Sequence, residues 1–420
     1  MCLAIAFAAG ACEDIPYVVM PASDGPTLLS IPSPPYAVST WGHVRVEAHF
    51  TDLSGGVTED RSILNHVIYL INNAPGNSEI RAAIFTLNDS EVRQALERAH
   101  TRGVRVFVAM DGSHHPADPM DDESITDPEV LEAYLNQPGG PGSRFRWCTR
   151  GGDTATAGWD GCIAKARGAV MHSKLFLFTH TRDASGARRT FVTWFGSANL
   201  SPHSGSQTYN NTVTVYGDRK LYNGFMDEYW TELWEGRTKY PGNDFFDRPG
   251  PGFFIGNTFG LRVFASPQQQ TDLVEQRIRS VEGDSDCVIH VAQSTFNEER
   301  NAVARMLAKK RSYLCRVYIA VGSMDTTTYE ALQGVKKKIP VWCINTHDKF
   351  ILIRGRHEPE GPVRRMVFTG SHNLTRSGNY VNDELLVRVE DDTIYSAFLQ
   401  SWSRMTYDED AIPLHTGGSC

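Results

Sequence analysis

The chain has 420 residues, of which 41% are apolar and 21% are charged. This is the balance of an ordinary globular protein, and it excludes disordered, collagen-like and disulfide-knot chains as a description of the whole. Length alone suggests two or three domains. The 41 basic and 49 acidic residues give a net charge of -8, so a broad basic field for nucleic acid is not expected, although a local cleft can differ.

The first predicted element is an apolar stretch at the N-terminus. Residues 2–12 read CLAIAFAAGAC, end in small residues and precede two acidic residues. We interpret the stretch as the apolar part of an export signal, although no basic residue precedes it, and this places the protein outside the cell or in the cell envelope. A lipoprotein cleavage box at Cys12 and an ordinary buried strand are the alternatives. Residues 1–40 are thus expected to form a signal-like and extended segment.

Two strand–helix–strand patterns come next. In the first, apolar runs over 80–85 and 104–110 flank an amphipathic helix predicted over 89–102. Residues 288–322 repeat the same order, with Asn297 as the expected helix cap. Such patterns are typical of βαβ units in a largely parallel sheet.

Six cysteines follow the N-terminal stretch. Cys148 and Cys162 flank a Gly-rich stretch, and a disulfide between them would close that loop in an oxidising compartment. Cys287, Cys315 and Cys343 begin predicted strands, where buried thiols and disulfides are equally compatible with the sequence. No CxxC pair occurs, which argues against a cysteine zinc site.

The most informative feature is a composite motif that occurs twice. VMHSKLFLF is followed by TFVTWFGSANLS, and NTHDKFILI is followed by RMVFTGSHNLT. The spacing is 25 positions from His172 to Ser197 and 24 positions from His347 to Ser371. A long, gapped pattern of this kind is hard to obtain twice by chance, so the chain is interpreted as a duplication.

The duplication predicts the fold class. We expect two α/β halves, each a mostly parallel or mixed sheet flanked by helices. The N-terminal half is predicted over residues 41–245 and the C-terminal half over 260–412. Residues 246–259, rich in Pro and Gly, are the predicted linker.

Each motif brings together groups that suit an anion. Strand alternation places the histidine and the lysine of His-x-Lys on one face. The ammonium supplies positive charge, and the imidazole can be nucleophile, base or acid near neutral pH. Two copies facing each other would form one phosphate-sized pocket with a nucleophile on one side and a proton donor on the other. The alternative is a pair of ordinary strand-end histidines, which would have to share this spacing by coincidence.

With these motifs the sequence resembles the phospholipase D superfamily over most of residues 60–405. The resemblance implies two halves related by a pseudo-twofold axis. It also implies phosphodiester cleavage through a phosphohistidine, with no cofactor and no obligatory metal. The catalytic residues that it implies are His172, Lys174, His347, Lys349 and Glu384, and the phosphate-binding residues are Ser197, Asn199, Ser371 and Asn373.

The sequence departs from the family pattern in two ways. The usual Asp five residues after each lysine is replaced by Thr179 and Arg354, as it is absent from tyrosyl-DNA phosphodiesterases. The family also places a carboxylate on the strand after Gly-Ser-x-Asn to orient each histidine. Glu384 fits that place in the second half, and alignment of the two strands puts Thr212, with Asn211 beside it, in the first.

This asymmetry suggests a role for each histidine. A histidine paired with a carboxylate is biased toward the imidazolium that a general acid requires. If Glu384 orients His347, then His347 is the acid, and His172, held by a neutral group, is the nucleophile. The usual division in the family agrees.

The favoured function is hydrolysis of a phospholipid head group by a monomer that contacts membrane surfaces transiently, with transfer to an alcohol as a related outcome. A secreted nuclease or another phosphodiesterase is the first alternative, although nucleic acid fits the composition less well. A binding protein that retained the pocket without turnover is the second. Two weaker features are interpreted as structural rather than functional. The acidic loop 113–123 is expected to be solvated rather than to bind a cation. Phe253–Ile255 is expected to pack between the halves rather than to contact lipid.

Overall fold

The structure is a computed structural model that describes residues 36–114, 126–148, 161–166, 168–235, 253–270, 272–408, 410–414 and 420. The signal-like segment, most of the acidic loop 113–123 and the first half of the predicted linker lie outside these residues.

The N-terminal half is built on eight strands. They are β1 (Tyr36–Trp41), β2 (Val44–Phe50), β3 (Glu79–Ile84), β4 (Arg105–Met110), β5 (Arg144–Trp147), β6 (Leu175–Arg182), β7 (Arg188–Gly196) and β8 (Asn211–Tyr216). The helices are α1 (Ser62–Asn72), α2 (Ser90–Thr101), α3 (Asp127–Leu135), α4 (Pro202–Ser206), α5 (Arg219–Gly224) and α6 (Thr231–Glu235), with a 3₁₀ turn over Gly112–His114 and a π-helical turn over Phe225–Trp230.

The C-terminal half repeats this plan. Its strands are β9 (Phe253–Ile255), β10 (Arg262–Ser266), β11 (Val288–Phe296), β12 (Arg316–Met324), β13 (Val341–Cys343), β14 (Lys349–Gly355), β15 (Arg364–Gly370), β16 (Glu384–Glu390) and β17 (Ile412–Pro413). The helices are α7 (Leu273–Arg279), α8 (Asn301–Ser312), α9 (Thr326–Gln333), α10 (Arg376–Tyr380) and α11 (Asp392–Thr406), with a 3₁₀ turn over Glu298–Arg300. The strand β9 falls within the range predicted as a linker.

The first sheet runs β1-β2-β8-β7-β6-β3-β4-β5, and the second, from the equivalent edge, runs β9-β10-β16-β15-β14-β11-β12-β13-β17. The first eight positions correspond one to one, and β17 adds a ninth strand to the second sheet. This shared order confirms the duplicated α/β fold. The predicted βαβ units supply the parallel pairs, β3 with β4 and β11 with β12. The motif strands are joined by hairpins, so β6, β7 and β8 pair antiparallel, as do β14, β15 and β16. Both sheets are therefore mixed rather than largely parallel.

Local signals account for the helices of the two βαβ units. Asp89 caps α2 by accepting a hydrogen bond from the amide of Val92. Asn297 precedes a 3₁₀ turn without a side-chain cap, and the regular helix α8 begins only at Asn301. The turn displaces the helix start by one turn from the expected position.

One hydrophobic core joins the two halves. Helix α11 extends from the second half across β1 and β2 of the first. The ring of Phe398 contacts Phe50 at 4.8 Å and Phe350 at 5.2 Å, both edge-to-face. Because these aromatic side chains are buried, their burial fixes one half against the other. The site described below depends on that fixed relation.

Three disulfides are present. Cys148 pairs with Cys162, which confirms the prediction. Cys287 pairs with Cys315, and Cys343 pairs with Cys420, so the buried-thiol reading of these cysteines is wrong. The bridges Cys287–Cys315 and Cys343–Cys420 span 28 and 77 positions, and spacing alone does not disclose such pairings. None of the helices in the described ranges has the length and apolar content that crossing a bilayer requires.

Candidate active site

The two His-x-Lys motifs lie at equivalent places in the halves. Lys174 immediately precedes β6, and Lys349 begins β14. In each motif the ammonium donates a hydrogen bond to the backbone carbonyl of its own histidine, at 2.6 Å to His172 and 2.8 Å to His347. Alternation along the strand therefore puts histidine and lysine on one side, as the sequence predicts.

The backbone of each histidine is hydrogen-bonded to the opposite half. The amide of His172 donates to the carbonyl of Asp383 at 3.0 Å, and the amide of His347 donates to the carbonyl of Tyr209 at 2.9 Å. Each histidine is thus bonded to the residues that lead into the last motif strand of the other half, β16 for His172 and β8 for His347. The two motifs therefore contribute to one site at the junction of the halves.

The side chains that orient the histidines are also exchanged. Nδ1 of His172 lies 2.8 and 2.9 Å from the two carboxylate oxygens of Glu384. Nδ1 of His347 lies 3.1 Å from Oδ1 of Asn210. The expectation that Glu384 orients His347 is wrong, because the junction brings each strand entry beside the opposite histidine. Thr212, the residue expected to orient a histidine in the first half, is fully buried, and its hydroxyl has no hydrogen-bond partner among the described residues.

Asn210 is the functional residue that the sequence reasoning missed. It lies 13 positions after Ser197, just as Glu384 lies 13 positions after Ser371. Equal distance from the motif serines identifies Asn210 as the counterpart of Glu384, two residues before Thr212.

The motif serines support these orienting residues from below. The Ser197 hydroxyl donates to Oδ1 of Asn210 at 2.9 Å and accepts from the amide of Asn211 at 3.0 Å. In the second half the Ser371 hydroxyl accepts from the amide of Leu385 at 3.0 Å. Burial raises the pKa of the neighbouring Glu384 carboxyl, and a hydrogen bond from Ser371 opposes that rise. Both serines are almost fully buried. The structure therefore directs these hydroxyls to the strand and the orienting side chains rather than into an open pocket.

The motif asparagines keep a polar atom without a protein partner. Asn199 donates from Nδ2 to the Ser204 hydroxyl at 2.8 Å. Oδ1 of Asn199 and Oδ1 of Asn373 are buried and accept no hydrogen bond from the described residues. Buried acceptors of this kind normally have a donor, so these two atoms are compatible with a ligand or water that donates to them.

Glycine in Gly-Ser-x-Asn serves the neighbouring strand. A β-carbon at Gly196 would collide with the backbone of Asn211 and Thr212, and one at Gly370 would collide with the backbone of Leu385. Gly370 also has a φ of +155°, which side-chain-bearing residues rarely adopt. The glycines let β7 and β15 approach their partners closely enough for the following serine to reach the next strand.

Burial and mutual repulsion disfavour positive charge on the basic groups of the site. Burial, with the charges of Lys174 and Lys349, holds the pKa of His172 well below its usual value. The pKa of His347 is lowered in the same way by burial, Lys349, Lys174 and His172. Burial also lowers the pKa of Lys349 to about 7 and that of Lys174 well below its usual value. Four basic groups thus share one electrostatic environment, which a bound anion would stabilise in the protonated form.

The carboxyls of the junction are shifted in the opposite direction. Burial raises the pKa of Glu384 to about 7, although Lys174 and His372 oppose the shift. His172 is thus biased toward the neutral ring and Glu384 toward the protonated carboxyl. Burial likewise raises the pKa of Asp383 to about 7.

Asp383 organises the loop that borders the site. Its carboxylate accepts from the amides of Ile163 at 2.9 Å and Ala164 at 2.6 Å. Cys162, which is bonded to Cys148, immediately precedes these amides. The disulfide and the carboxylate therefore fix the same loop from two directions.

Phe85 adds an aromatic wall beside the first motif. Its ring lies edge-to-face with the His172 ring at a centroid distance of 4.7 Å, and the ammonium of Lys174 lies 4.7 Å from its centroid. An aromatic face stabilises the lysine cation and leaves one side of the nucleophile candidate apolar. No sequence motif marks this residue, because it follows β3 and meets the site only in the fold.

Positions that replace the family Asp lie away from these groups. The Thr179 hydroxyl accepts from the amide of Glu79 at 2.9 Å, and Arg354 pairs with Asp286 at 3.2 Å. Five strand residues separate each from its lysine, which is roughly 17 Å. Their substitution therefore leaves the side chains around the histidines unchanged.

Within the described residues, one group could be considered for a metal. Potential ligand atoms of Glu47, His49 and His66 lie within 4.8 Å of one another, and all three residues are buried. The two imidazole rings stack at 3.7 Å with an interplanar angle of 20°, so their in-plane lone pairs run side by side rather than converging. Glu47 already accepts from Arg45 and from Tyr216, both at 2.7 Å. The group therefore does not fit a metal ion.

Comparison with known proteins agrees with this geometry. The family described as cardiolipin synthase, PLD-like domain, matches residues 67–234 and 286–406, more than half of the chain. No curated protein sequence matches.

Solved structures with this fold include two enzymes that align over most of the chain. Phosphatidylserine synthase of Haemophilus influenzae aligns with a TM-score of 0.58 at 12% identity, over 87% of this chain and 87% of that one. Polyphosphate kinase of Porphyromonas gingivalis aligns with a TM-score of 0.54 at 12% identity, over 88% of this chain and 48% of that one. The chain thus spans about half the length of that kinase. At these identities the likeness shows the fold, and the extent of the family match shows that the chain belongs to the phospholipase D-like family of the cardiolipin synthase domain.

Proposed function

We propose that the protein transfers a phosphoryl group of a phosphodiester in two steps through a phosphohistidine. The observation that carries the proposal is the exchanged pair of histidines, each held by an orienting residue of the opposite half. Two lysines with lowered pKa values beside them supply a site that gains positive charge when an anion enters. This combination serves phosphoryl transfer better than it serves storage of a phosphate, because both a nucleophile and a proton donor are provided.

In this proposal His172 is the nucleophile. The argument for this role differs from the one made from the sequence, because Glu384 contacts His172 and not His347. Nδ1–H of His172 donates to Glu384, which leaves the Nε2 lone pair free to attack phosphorus. The bond to the leaving oxygen breaks as the Nε2–phosphorus bond forms, and the phosphorylated ring carries a positive charge that the carboxylate stabilises. The carboxylate is therefore useful to the nucleophile, as an acidic residue is to the histidine of a Ser-His-Asp triad.

His347 then acts as the acid and later as the base. It gives the Nε2 proton to the leaving alkoxide, and it takes a proton from the water or alcohol that attacks the phosphohistidine. Burial and the neighbouring lysines lower its pKa, so a bound phosphate anion is needed to stabilise its protonated form. The neutral Asn210 keeps this imidazolium a stronger acid than a carboxylate partner would.

A phospholipid is the substrate that we favour. The matching family is described by a phospholipid synthase domain, and phosphatidylserine synthase shares the fold over most of both chains. Water as acceptor gives hydrolysis, and an alcohol gives head-group exchange or synthesis by the same two steps. Three disulfides favour an oxidising compartment and so support the proposed export.

A panel of phosphodiesters tests the function. It comprises bis-nitrophenyl phosphate, phosphatidylcholine and phosphatidylglycerol vesicles and single-stranded DNA, each with and without glycerol as acceptor. We expect lipid turnover by the wild type and none by His172→Ala. His180→Ala is the matched control, because His180 is exposed on β6, six positions beyond Lys174. Turnover of DNA alone would replace the lipid assignment, and phosphate binding without turnover of any diester would favour the non-catalytic alternative.

A further inference from the structure

A second cleft lies on the sheet of the C-terminal half, at the end remote from the histidines. Strand β11 runs from Val288 at this cleft to Gln293, which pairs with the catalytic-motif residue Lys349. Five strand residues separate the two ends, roughly 17 Å. The cleft has a volume of about 850 Å³, which is within the range of small-molecule sites.

A row of arginines forms the floor of the cleft. Val288 pairs with Arg316 on one side and with Arg354 on the other, and Arg354 pairs with Arg365. These four residues lie on one rung across adjacent strands, where neighbouring strands are about 4.8 Å apart. Three guanidinium groups therefore project from the same face within a short distance.

Their charges are only partly neutralised by protein groups. Arg354 pairs with Asp286 at 3.2 Å, which it shares with Arg356, and Arg365 pairs with Asp392 at 2.8 Å. No acidic side chain in the described ranges forms an ion pair with Arg316, which is exposed.

All three arginines act electrostatically on one hydroxyl, that of Tyr395. Burial raises the pKa of Tyr395 to about 12, while Arg354, Arg365 and Arg316 each oppose the shift. The three guanidinium groups therefore lie close enough to Tyr395, which also lines the cleft, to act on its hydroxyl.

Aromatic side chains form the next rung and the opposite wall. His290 pairs with Tyr318 across β11 and β12, and their rings stack at 5.0 Å. Trp402, from α11, meets the His290 ring edge-to-face at 4.7 Å and lies 5.5 Å from Trp342. Tyr318 and Trp342 are half-buried, so part of each ring faces the cleft. Burial and Arg316 lower the pKa of His290 to about 4, so at neutral pH this ring adds a neutral surface.

We propose that this cleft binds a nucleoside phosphate, with its phosphate on the arginine row and its base against Tyr318 and Trp342. Guanidinium groups match the geometry of phosphate oxygens, and aromatic rings accept any base through stacking. The combination on adjacent rungs suits a ligand that carries an anion and a flat ring a few ångströms apart. Free phosphate or a glycerol phosphate would use the arginines and leave the rings unused.

Titration with adenosine monophosphate tests the proposal, followed by tryptophan emission and by calorimetry. Arg316→Ala should weaken binding by about 10-fold or more, the scale of one charge-assisted hydrogen bond. Tyr318→Leu should weaken adenosine monophosphate and leave inorganic phosphate unchanged. Arg305→Ala, an equal loss of charge on the exposed side of α8, should have no effect.

Binding should also persist in His172→Ala, because the catalytic histidine lies at the other end of the strands. Adenosine monophosphate affinity that is unchanged in Arg316→Ala, or that falls only in His172→Ala, would place the ligand in the catalytic site and overturn the proposal. Equal losses of affinity for inorganic phosphate, glycerol 3-phosphate and adenosine monophosphate in Tyr318→Leu would overturn the role of the rings. These outcomes are independent of whether the catalytic site cleaves a lipid.

Discussion

Replacing Glu384 by glutamine isolates the negative charge beside His172. Glutamine has the same size and keeps an oxygen that can accept from Nδ1, so only the charge 2.8 Å from the ring nitrogen is lost. Phosphorylation of Nε2 creates a cation on the ring, and in the variant that cation has no carboxylate partner. We therefore expect slower formation of the phosphoenzyme.

The size of the effect follows from the geometry. Two unit charges about 4 Å apart interact by about 4 kcal/mol at an effective dielectric constant of about 20. A carboxyl pKa of about 7 leaves only about half of Glu384 ionised at pH 7, and glutamine retains a hydrogen bond. We expect a loss of about 10²-fold, or about 2.7 kcal/mol.

The pH dependence separates this role from simple destabilisation. Because burial raises the pKa of Glu384 to about 7, the carboxyl becomes neutral as pH falls and then resembles glutamine. The ratio of wild-type to variant rates should be largest above pH 8 and approach one below about pH 5. Lys174, Lys349 and His372 also face this carboxyl and titrate in both proteins, so their effects largely cancel in the ratio.

Single-turnover formation of the phosphoenzyme from a nitrophenyl diester measures the step directly. Glu390→Gln is the control, since Glu390 ends the same strand and pairs with Arg364 away from the site. A ratio that stays constant from pH 5 to pH 9, or a variant with the wild-type rate at pH 8, would refute the assignment of the carboxylate to His172.

Three further outcomes are expected. The protein should take up protons when inorganic phosphate binds at pH 8, because burial lowers the pKa of Lys349 to about 7 and the anion restores the ammonium. The affinity for phosphate should therefore fall as pH rises above 7. Calorimetry in buffers of different ionisation enthalpy measures both effects. Activity should survive a chelator, and restoration only by an added metal would contradict this. His347→Ala should still form an acid-trapped phosphoenzyme from a nitrophenyl diester, whereas His172→Ala should not; phosphate trapped on His347 would reverse the roles.

The duplicated fold, and the meeting of both His-x-Lys motifs at one site, could be predicted from the sequence because the motif occurs twice. The nearly equal spacing from each histidine to its Gly-Ser-x-Asn reflects one hairpin in each half, which β6–β7 and β14–β15 provide. Strand alternation then places histidine and lysine together without any tertiary information.

The exchange between the halves could not be predicted in the same way. Within one half, Glu384 is close to His347 in sequence and is the natural partner to assign. The junction instead brings the entry of β16 beside His172, through the bridge between Met171 and Asp383. That relation depends on how the two sheets dock, and no local pattern in either half encodes it.

The remaining asymmetry of the site is fixed by what surrounds Asn210. Its Nδ2 donates to the carbonyls of Ser204 and Thr208, both at 3.1 Å, and to the Thr208 hydroxyl at 3.0 Å. An aspartate at this position would present a carboxylate to two carbonyl oxygens, so the loop accepts an amide and rejects the charge. The corresponding surroundings of Glu384 differ, because Asn382 donates to its carboxylate at 3.4 Å.

Asn210→Asp is therefore expected to damage the protein rather than make the halves equal. The variant loses buried donors and gains a repelled charge, which should lower the free energy of unfolding by about 1–3 kcal/mol. Denaturant titration measures this loss, and Asn223→Asp, on α5 outside the site, is the control for deamidation-like charge change. Turnover should fall as well, because a carboxylate beside His347 would hold its proton more tightly. A variant as stable as the wild type and more active at alkaline pH would mean that His347, like His172, works best with a carboxylate, and the division of roles would have to be abandoned.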